Sequence, residues 1–155
     1  MTPPPARLAR LLRTTLGADE ERIRIAEVDT ALVADSGPTV ASRATLVGGR
    51  AVVDAAEQLQ KRLLPLAAEL LETTDADGLK VVDGGYASAD GQRRVAFDEV
   101  AALLYARREN PVAVGWYRSE PREYDAETGQ GQAYMFYSFG AHATRVRVDT
   151  WTGKV

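Results

Sequence analysis

The chain has 155 residues and contains no cysteine. Without cysteine it cannot form a disulfide bond, ligate an iron–sulfur cluster or bind a metal through thiolates. A chain without disulfides fits a reducing compartment, so we expect a cytoplasmic location. Histidine occurs only once, at His142. Because catalysis or metal binding by histidine needs partner side chains, we expect a structural role for His142.

Long apolar runs are also lacking. No stretch reaches the roughly 20 apolar residues of a transmembrane helix, and the start of the chain does not have the pattern of a signal peptide. The 19 basic residues are scattered and the net charge is −3, which argues against a nucleic-acid partner. With 45% hydrophobic and 26% charged residues, the sequence predicts one soluble globular domain over residues 1–155.

Helical patterns dominate the first half of the sequence. Apolar residues at helical spacing predict a helix over residues 6–16, with Gly17 as its C-cap. A short strand is predicted over residues 23–28. A longer helix follows over residues 43–71, and Pro65 inside it is expected to kink or divide it. The Gly48-Gly49 pair near its start predicts a closely packed neighbour.

The second half mixes strand and helix patterns. Helices and strands in mixed order, joined by hairpins, predict an α+β fold with an antiparallel-rich sheet. The predicted elements are a strand at 79–82, a hairpin turning at Asp90-Gly91, a helix at 96–108, a strand at 112–118, a strand-rich stretch at 134–148 and a closing turn in 149–155. The aromatic residues expected in the sheet core are Tyr134, Phe136, Tyr137 and Phe139.

A loop of small and polar residues, from Thr30 to Ser42, joins the predicted strand to the long helix. Small side chains let a ligand reach the backbone, hydroxyls donate hydrogen bonds, and a helix N-terminus attracts anions. The pattern therefore indicates an anion site, although a plain capping loop with Ser42 or Thr39 as the N-cap explains it equally well. Arg43 either neutralises a bound phosphate or pairs with a carboxylate of the chain.

Three collinear segments resemble the molybdopterin-binding large subunit of the xanthine dehydrogenase/aldehyde oxidase family. They are residues 28–43, with Ser36-Gly37-Pro38-Thr39, residues 48–63, and residues 124–153, with Thr128-Gly129-Gln130-Gly131, Phe139-Gly140-Ala141-His142 and Val146-Arg147-Val148-Asp149. The order and spacing of these motifs match over nearly the whole chain. The resemblance implies a partial molybdopterin-binding domain of an oxidoreductase.

The resemblance also implies a cofactor and partners. Family members hold molybdenum through molybdopterin, which carries a cytosine dinucleotide in many bacterial members. Their electrons leave through iron–sulfur and flavin subunits or domains, so these and the remaining segments of the molybdenum subunit are the expected partners. The residues expected to bind the cofactor are Gly37 and Ala41, which allow close approach, Thr39 and Ser42, which donate hydrogen bonds, and Val40, which lies against the pterin. No catalytic residue and no direct protein ligand to a metal are expected.

Two departures from the family pattern matter. The family's catalytic base is a glutamate in a Gly-x-Gly-Glu segment well beyond the Val-x-Val-Asp motif, and the sequence ends at Val155 before reaching it. A Gln-Gly-x-Gly stretch expected before the first helix is also missing. We therefore expect no turnover by the chain alone. Three alternatives stay open: a cofactor-binding part of a molybdenum hydroxylase, a non-catalytic scaffold or remnant, and a stand-alone module for a phosphate ligand. Self-association would bury an apolar edge left open by an incomplete domain.

Overall fold

The structure is a computed structural model that describes residues 4–27, 29–31, 35, 37–38, 40, 42–134, 137 and 139–155. The chain forms two compact units, Met1–Ser119 and Glu120–Val155. Helices and small antiparallel sheets occur together, so the predicted α+β class is confirmed. No helix within the described ranges is long and apolar enough to cross a membrane.

Helix α1 spans Pro4–Leu16 and confirms the first predicted helix. It ends as predicted at Gly17, whose φ is +70° and whose N–H donates to the carbonyl oxygen of Arg13 at 2.9 Å. This left-handed C-cap is typical of glycine, which has no Cβ to oppose it. A short 3-10 helix, Glu20–Arg22, follows. The strand predicted over residues 23–28 is wrong for residues 23–27, which are not part of any strand, and Val28 lies outside the described residues.

The long predicted helix is confirmed, with an irregular start. A π-helical segment, Ala44–Gly48, continues directly into helix α2, Gly49–Leu70. Pro65 lies inside α2 on its exposed face without dividing it, so the predicted division of the helix is wrong. Gly49 is buried, and a Cβ placed there would lie 3.2 Å from Leu11 Cδ1 of α1. The close packing predicted from the glycine pair therefore holds for Gly49.

A three-stranded antiparallel sheet in the order β1-β2-β3 follows α2. Its strands are β1 (Lys80–Val82), β2 (Gly85–Ala87) and β3 (Arg94–Ala96). The β2–β3 hairpin turns at Asp90-Gly91 as predicted, with Gly91 at φ +74°. Hydrogen bonds from the Ser88 hydroxyl and the Gln92 amide lower the pKa of Asp90 and stabilise this turn. Helix α3, Phe97–Ala106, begins directly after β3, where Glu99 accepts a hydrogen bond from the Ala96 amide at 3.0 Å.

The hydrophobic core of this unit lies where α1, α2 and α3 meet the sheet. Helix α2 contributes the largest share of it, because apolar residues at helical spacing form one buried face of this helix. The sheet contributes the fully buried Tyr86 from its central strand. The buried core residues are Leu16, Ala56, Leu63, Leu66, Ala67, Leu71, Tyr86, Val95, Val100 and Leu104.

Replacing Tyr86 with phenylalanine is expected to stabilise the unit. The Tyr86 side chain is 0% exposed, and its hydroxyl has no hydrogen-bond partner among the described residues. Removing an unpaired buried hydroxyl recovers its desolvation cost, so we expect Tyr86→Phe to raise the free energy of unfolding by about 1 kcal/mol. Urea denaturation measures this change. The control is Tyr105→Phe, because Tyr105 is 81% exposed and should be neutral.

The same substitution should alter the alkaline stability. Burial raises the pKa of Tyr86, so the folded state keeps the neutral phenol when the unfolded state begins to lose its proton at about pH 10. The stability contributed by the neutral phenol is complete below that pH and is lost as pH rises further. The advantage of Tyr86→Phe over the unchanged protein should therefore widen above about pH 10. A gap that stays constant would contradict the raised pKa, and a Tyr86→Phe protein that is less stable than the unchanged protein would mean that the hydroxyl is paired.

The strand predicted over residues 112–118 is wrong. These residues do not pair with any strand of the described chain; instead they run along α2. Three side chains of α2 bond to the backbone of this segment: Asp54 accepts from the Trp116 amide at 2.9 Å, Gln58 donates to the Val114 carbonyl at 3.1 Å, and Arg62 donates to the Val112 carbonyl at 3.0 Å. The backbone of this segment thus bonds to polar side chains of a helix and not to a neighbouring strand.

The second unit, Glu120–Val155, holds one short hairpin. Strands β4 (Tyr124–Asp125) and β5 (Gln130–Gly131) pair antiparallel. The sequence Asp-x-x-Thr-Gly forms a turn twice, at 125–129 and 149–153. In each turn the Asp carboxylate accepts backbone hydrogen bonds, and the Gly amide donates to the Asp carbonyl. The pKa of Asp125 is lowered mainly by the Thr128 hydroxyl, and that of Asp149 by the Thr152 and Trp151 amides.

The strand-rich stretch predicted over residues 134–148 is wrong for its described residues, none of which lies in a strand. The aromatic residues placed there in a sheet core are exposed: Tyr134 by 66%, Tyr137 by 59% and Phe139 by 99%. Tyr134 and Tyr137 contact each other edge to face, with centroids 5.8 Å apart. Phe136 lies outside the described residues. A strand forms only where a partner strand accepts its backbone bonds, and none is available here among the described residues.

Candidate cofactor-binding site

The loop singled out from the sequence leads directly into the π-helical start of the long helix. Two aspartates shape its described part through turns of the same kind. Asp29 accepts a hydrogen bond from the Ala31 amide at 2.9 Å, and Asp35 accepts one from the Gly37 amide at 2.7 Å. Of the five expected cofactor residues, Gly37, Val40 and Ser42 are described, whereas Thr39 and Ala41 lie outside the described residues.

Gly37 brings the loop close to a positive charge. Its φ is +74°, a left-handed conformation that glycine adopts without strain. A Cβ built at Gly37 would lie 3.6 Å from Nη2 of Arg43. The guanidinium of Arg43 therefore lies over the loop at Gly37. A ligand in contact with the Gly37 backbone would also be within reach of this cation.

The described residues Val40 and Ser42 are both exposed next to the helix start. The Val40 side chain is 59% exposed, and its carbonyl accepts from the Arg43 amide at 3.0 Å. The Ser42 carbonyl accepts from the Leu46 amide at 2.9 Å, whereas its hydroxyl makes no hydrogen bond within the described chain. No side chain caps this helix start, so Ser42 does not act as a side-chain N-cap. Its hydroxyl is available to a ligand.

A second arginine reaches the same helix start from α1. Nη1 of Arg7 donates to the Thr45 hydroxyl at 3.3 Å, and Thr45 lies in the first turn of the π-helical segment. The amides of a first helical turn have no acceptor within the helix, and the helix dipole adds partial positive charge there. The guanidinium groups of Arg7 and Arg43 therefore add two positive formal charges near a helix end that already favours anions. The sequence did not predict a role for Arg7, which reaches this end of the long helix because α1 packs against Gly49.

A cavity lies at another place in the same unit. A cavity of about 410 Å³ lies between the end of α1 and the start of α3. Its wall includes Arg22 and Asp98, which form an exposed ion pair. Of the expected cofactor residues that the structure describes, Gly37, Val40 and Ser42 do not line it.

The described residues contain no cluster of histidine or carboxylate side chains that could hold a metal ion directly. Among the described residues no three His, Asp or Glu side chains come together as ligands. His142 is exposed and lies in no strand, so the structural role expected of it has no support in its surroundings. A metal held entirely by an organic cofactor would need phosphate and ring contacts from the protein, and the loop offers groups of that kind.

Comparison with known proteins assigns the chain to a family. The sequence profile of the molybdopterin cofactor-binding domain matches residues 6–155. The chain therefore belongs to the molybdopterin cofactor-binding domain family, as the collinear motifs predicted.

Its relatives include several xanthine dehydrogenases. The chain is 28% identical over 147 residues to xanthine dehydrogenase 2 of Arabidopsis thaliana and 26% identical over 147 residues to the xanthine dehydrogenase/oxidase of Gallus gallus. It is 30% identical over 139 residues to the xanthine dehydrogenase of Drosophila subobscura. These matches cover 95%, 95% and 89% of this chain, and 9% of each relative. The chain thus spans about a tenth of the length of the relatives it matches.

Proposed function

We propose that residues 37–42 and the adjoining helix start bind the phosphate and pterin part of molybdopterin, within a molybdenum hydroxylase of the xanthine dehydrogenase type. The observation that carries this proposal is the meeting of the loop with two arginines at an uncapped helix end. Family membership supplies the ligand, because molybdopterin carries an anionic phosphate. In this proposal residues 1–155 act as one domain of the molybdenum-binding region.

Each residue has a defined role in the proposed site. Gly37 and Ala41 let the phosphate approach backbone amides, since neither has a bulky side chain. Thr39 and Ser42 donate hydroxyl hydrogen bonds to the phosphate or the pterin, and Val40 contacts the pterin ring. Arg43 and Arg7 stabilise the negative charge, partly offsetting the carboxylates of Asp29 and Asp35.

The bound cofactor would supply the molybdenum centre at which an aldehyde or heterocycle is oxidised. The chain's own residues hold and orient that cofactor and take no part in bond breaking. Turnover requires the remaining segments of the molybdenum subunit, which carry the glutamate base in the family pattern, and iron–sulfur and flavin partners that accept the electrons. We therefore propose that the isolated chain is inactive. The cytosine dinucleotide form of the cofactor and a cytoplasmic location belong to the same proposal.

Removing one hydroxyl of the loop tests the site. In a complete molybdenum subunit containing this chain, Ser42→Ala and Thr39→Ala are each expected to lower the molybdenum and pterin content per protein. A lost hydrogen bond to a charged group costs about 1.5–3 kcal/mol, which corresponds to a roughly tenfold or greater loss of affinity. Occupancy is measured under limiting cofactor, by elemental analysis and by fluorescence of the oxidised pterin.

A matched control separates binding from folding. Ser119 is an exposed serine of the same unit, remote in sequence from the loop, and Ser119→Ala should keep full occupancy. Full occupancy and full activity in both loop variants would contradict the assignment of this loop. A loss of occupancy in Ser119→Ala as well would show that the loop variants report folding.

A further inference from the structure

Arg7 of α1 is bonded to the start of the long helix through a threonine that lies outside residues 37–42. Nη1 of Arg7 donates a hydrogen bond to Oγ1 of Thr45 at 3.3 Å, across 38 residues of sequence. Thr45 lies in the π-helical segment that directly follows the loop, two residues after Arg43. The place of the Arg7 guanidinium relative to the loop therefore depends on the hydroxyl of Thr45.

The packing of α1 against the long helix holds the backbone of Arg7 near this hydroxyl. Leu11 lies one helical turn after Arg7, on the same face of α1. A Cβ placed at Gly49, four residues after Thr45, would lie 3.2 Å from Leu11 Cδ1. The two helices are thus in close contact just beyond the bond between Arg7 and Thr45. This contact fixes the Arg7 backbone, and the bond to Thr45 fixes the end of its side chain.

Both helices begin on the same side of this contact. From Arg7 to Thr15 on α1, the bonded residue of the long helix changes from Thr45 to Gln60, so the helices run in the same direction. Neither first turn contains an acidic residue. The N-terminal end of a helix carries partial positive charge, which favours a nearby anion and opposes a nearby cation. The charge of Arg7 is therefore better placed to bind an anion than to stabilise α1.

A guanidinium can bond to Thr45 and to a phosphate at the same time. It has several N–H donors in one plane, and the bond to Thr45 uses a donor of Nη1. The donors of Nε and Nη2 can form two parallel bonds to a phosphate, which is the geometry that arginine favours. The bond to Thr45 thus limits the rotation of the guanidinium and leaves its phosphate-binding donors in place.

We propose that Thr45 is a positioning residue of the cofactor site, because its hydroxyl orients the guanidinium of Arg7 towards the phosphate of molybdopterin. This inference rests on the proposed function, which supplies the phosphate. Thr45 itself does not contact the cofactor. Its bond to Arg7 restricts a long side chain before the ligand binds, so less conformational freedom is lost on binding. Thr45 therefore raises the affinity for the cofactor through Arg7 alone.

Replacing Thr45 with valine removes the acceptor and keeps the shape of the side chain. In a complete molybdenum subunit containing this chain, we expect Thr45→Val to lower the affinity for the cofactor about two- to tenfold, because the ligand must then order Arg7 itself. Arg7→Gln should lower the affinity about tenfold or more, since it removes charge-assisted hydrogen bonds. The molybdenum and pterin content under limiting cofactor measures both effects.

A double-mutant cycle separates positioning from direct contact. In Arg7→Gln/Thr45→Val the second substitution should have no further effect, because Thr45 acts only through Arg7. Thr45→Ser keeps the hydroxyl and should retain the occupancy of the unchanged protein. The matched control is Thr14→Val, since Thr14 is an exposed threonine of α1 whose hydroxyl donates to the Arg10 carbonyl at 2.8 Å. This variant should also retain full occupancy.

The results distinguish a failure of this inference from a failure of the cofactor site. Full occupancy in Thr45→Val, with a loss in Arg7→Gln or Ser42→Ala, would overturn the role of Thr45 alone. Full occupancy in all three variants would contradict both the site and the role of Thr45. Additive losses from Thr45→Val and Arg7→Gln would show that Thr45 does not act through Arg7. A loss in Thr45→Ser as large as that in Thr45→Val would overturn the role of the hydroxyl.

Discussion

Replacing Gly17 with alanine is expected to destabilise the unit Met1–Ser119 by about 3 kcal/mol. Two costs add. An L-residue in the left-handed conformation costs about 1–2 kcal/mol, and a Cβ forced into packed atoms costs about 1–3 kcal/mol more. The second cost arises because the new Cβ would lie 2.5 Å from the Gly85 carbonyl oxygen and 2.9 Å from that of Val82.

The neighbouring atoms cannot move cheaply. Both carbonyl oxygens belong to the backbone of the sheet, and Gly85 is itself packed against β3, where its own Cβ would be 2.1 Å from the Val95 carbonyl oxygen. The end of α1 is also fastened to the sheet by Arg13, which donates two hydrogen bonds to Asp83 at 3.0 and 2.8 Å. Relief at Gly17 therefore means separating α1 from the sheet.

Gly91→Ala is the matched control for Gly17→Ala. Gly91 has a similar φ of +74°, and no atom lies within 4 Å of its would-be Cβ. It should cost only the conformational part, about 1 kcal/mol. Urea denaturation of both variants measures the difference. An equal loss of unfolding free energy at the two positions would show that the close approach of α1 to the sheet does not affect stability.

The second large effect is expected for Leu63→Ala, at about 3 kcal/mol. Leu63 is 2% exposed and belongs to the face of α2 that packs in the core. Truncating its isobutyl side chain to a methyl group loses buried apolar surface and leaves a cavity, because the packed neighbours close only partly around it. The apolar face of α2 is the largest contribution to the core, so this site reports directly on the packing of the unit.

Leu70→Ala is the matched control, because it makes the same substitution on the same helix at a residue that is not buried. Leu70 is 42% exposed, so its truncation should cost less than about 1 kcal/mol. Both variants are compared by chemical denaturation, with the m-value checked for an unchanged transition. A cost for Leu70→Ala as large as that for Leu63→Ala would contradict the assigned orientation of α2.

The helices were predictable because their signals are local. The apolar spacing within residues 6–16 and 43–71 specifies a buried face whatever lies beyond it, and Gly17 marks an end through its own backbone freedom. The hairpin at Asp90-Gly91 is local in the same sense, since Gly91 adopts a φ of +74° and Asp90 accepts hydrogen bonds from Ser88 and Gln92 within the turn. These elements needed no knowledge of distant parts of the chain.

The strand predicted over residues 112–118 shows where local signals fail. Alternating Val, Ala and Trp residues predict a strand, but a strand also needs a partner, and partners are a property of the tertiary structure. Here the polar side chains of α2 take one edge. Nothing in the sequence of the segment reveals that Asp54, Gln58 and Arg62 would bond to it.

The sequence predicted only the local part of the candidate site, which is the loop, and not the residues that other elements bring to it. Small residues before a helix mark the loop, and the motif order identified the family. The approach of Arg7 to the helix start was not foreseen, because it depends on α1 packing against α2 at Gly49. The Gly48-Gly49 pair indicated a close neighbour without saying which element it would be.

The most direct test of the central claim is the molybdenum and pterin content of the purified protein. The chain is expressed alone and together with the reading frames that neighbour it, and both preparations are assayed by elemental analysis and by fluorescence of the oxidised pterin. The proposal predicts stoichiometric molybdenum and pterin when the remaining segments of the molybdenum subunit are present. Absence of both from both preparations would contradict cofactor binding and favour a scaffold or remnant domain.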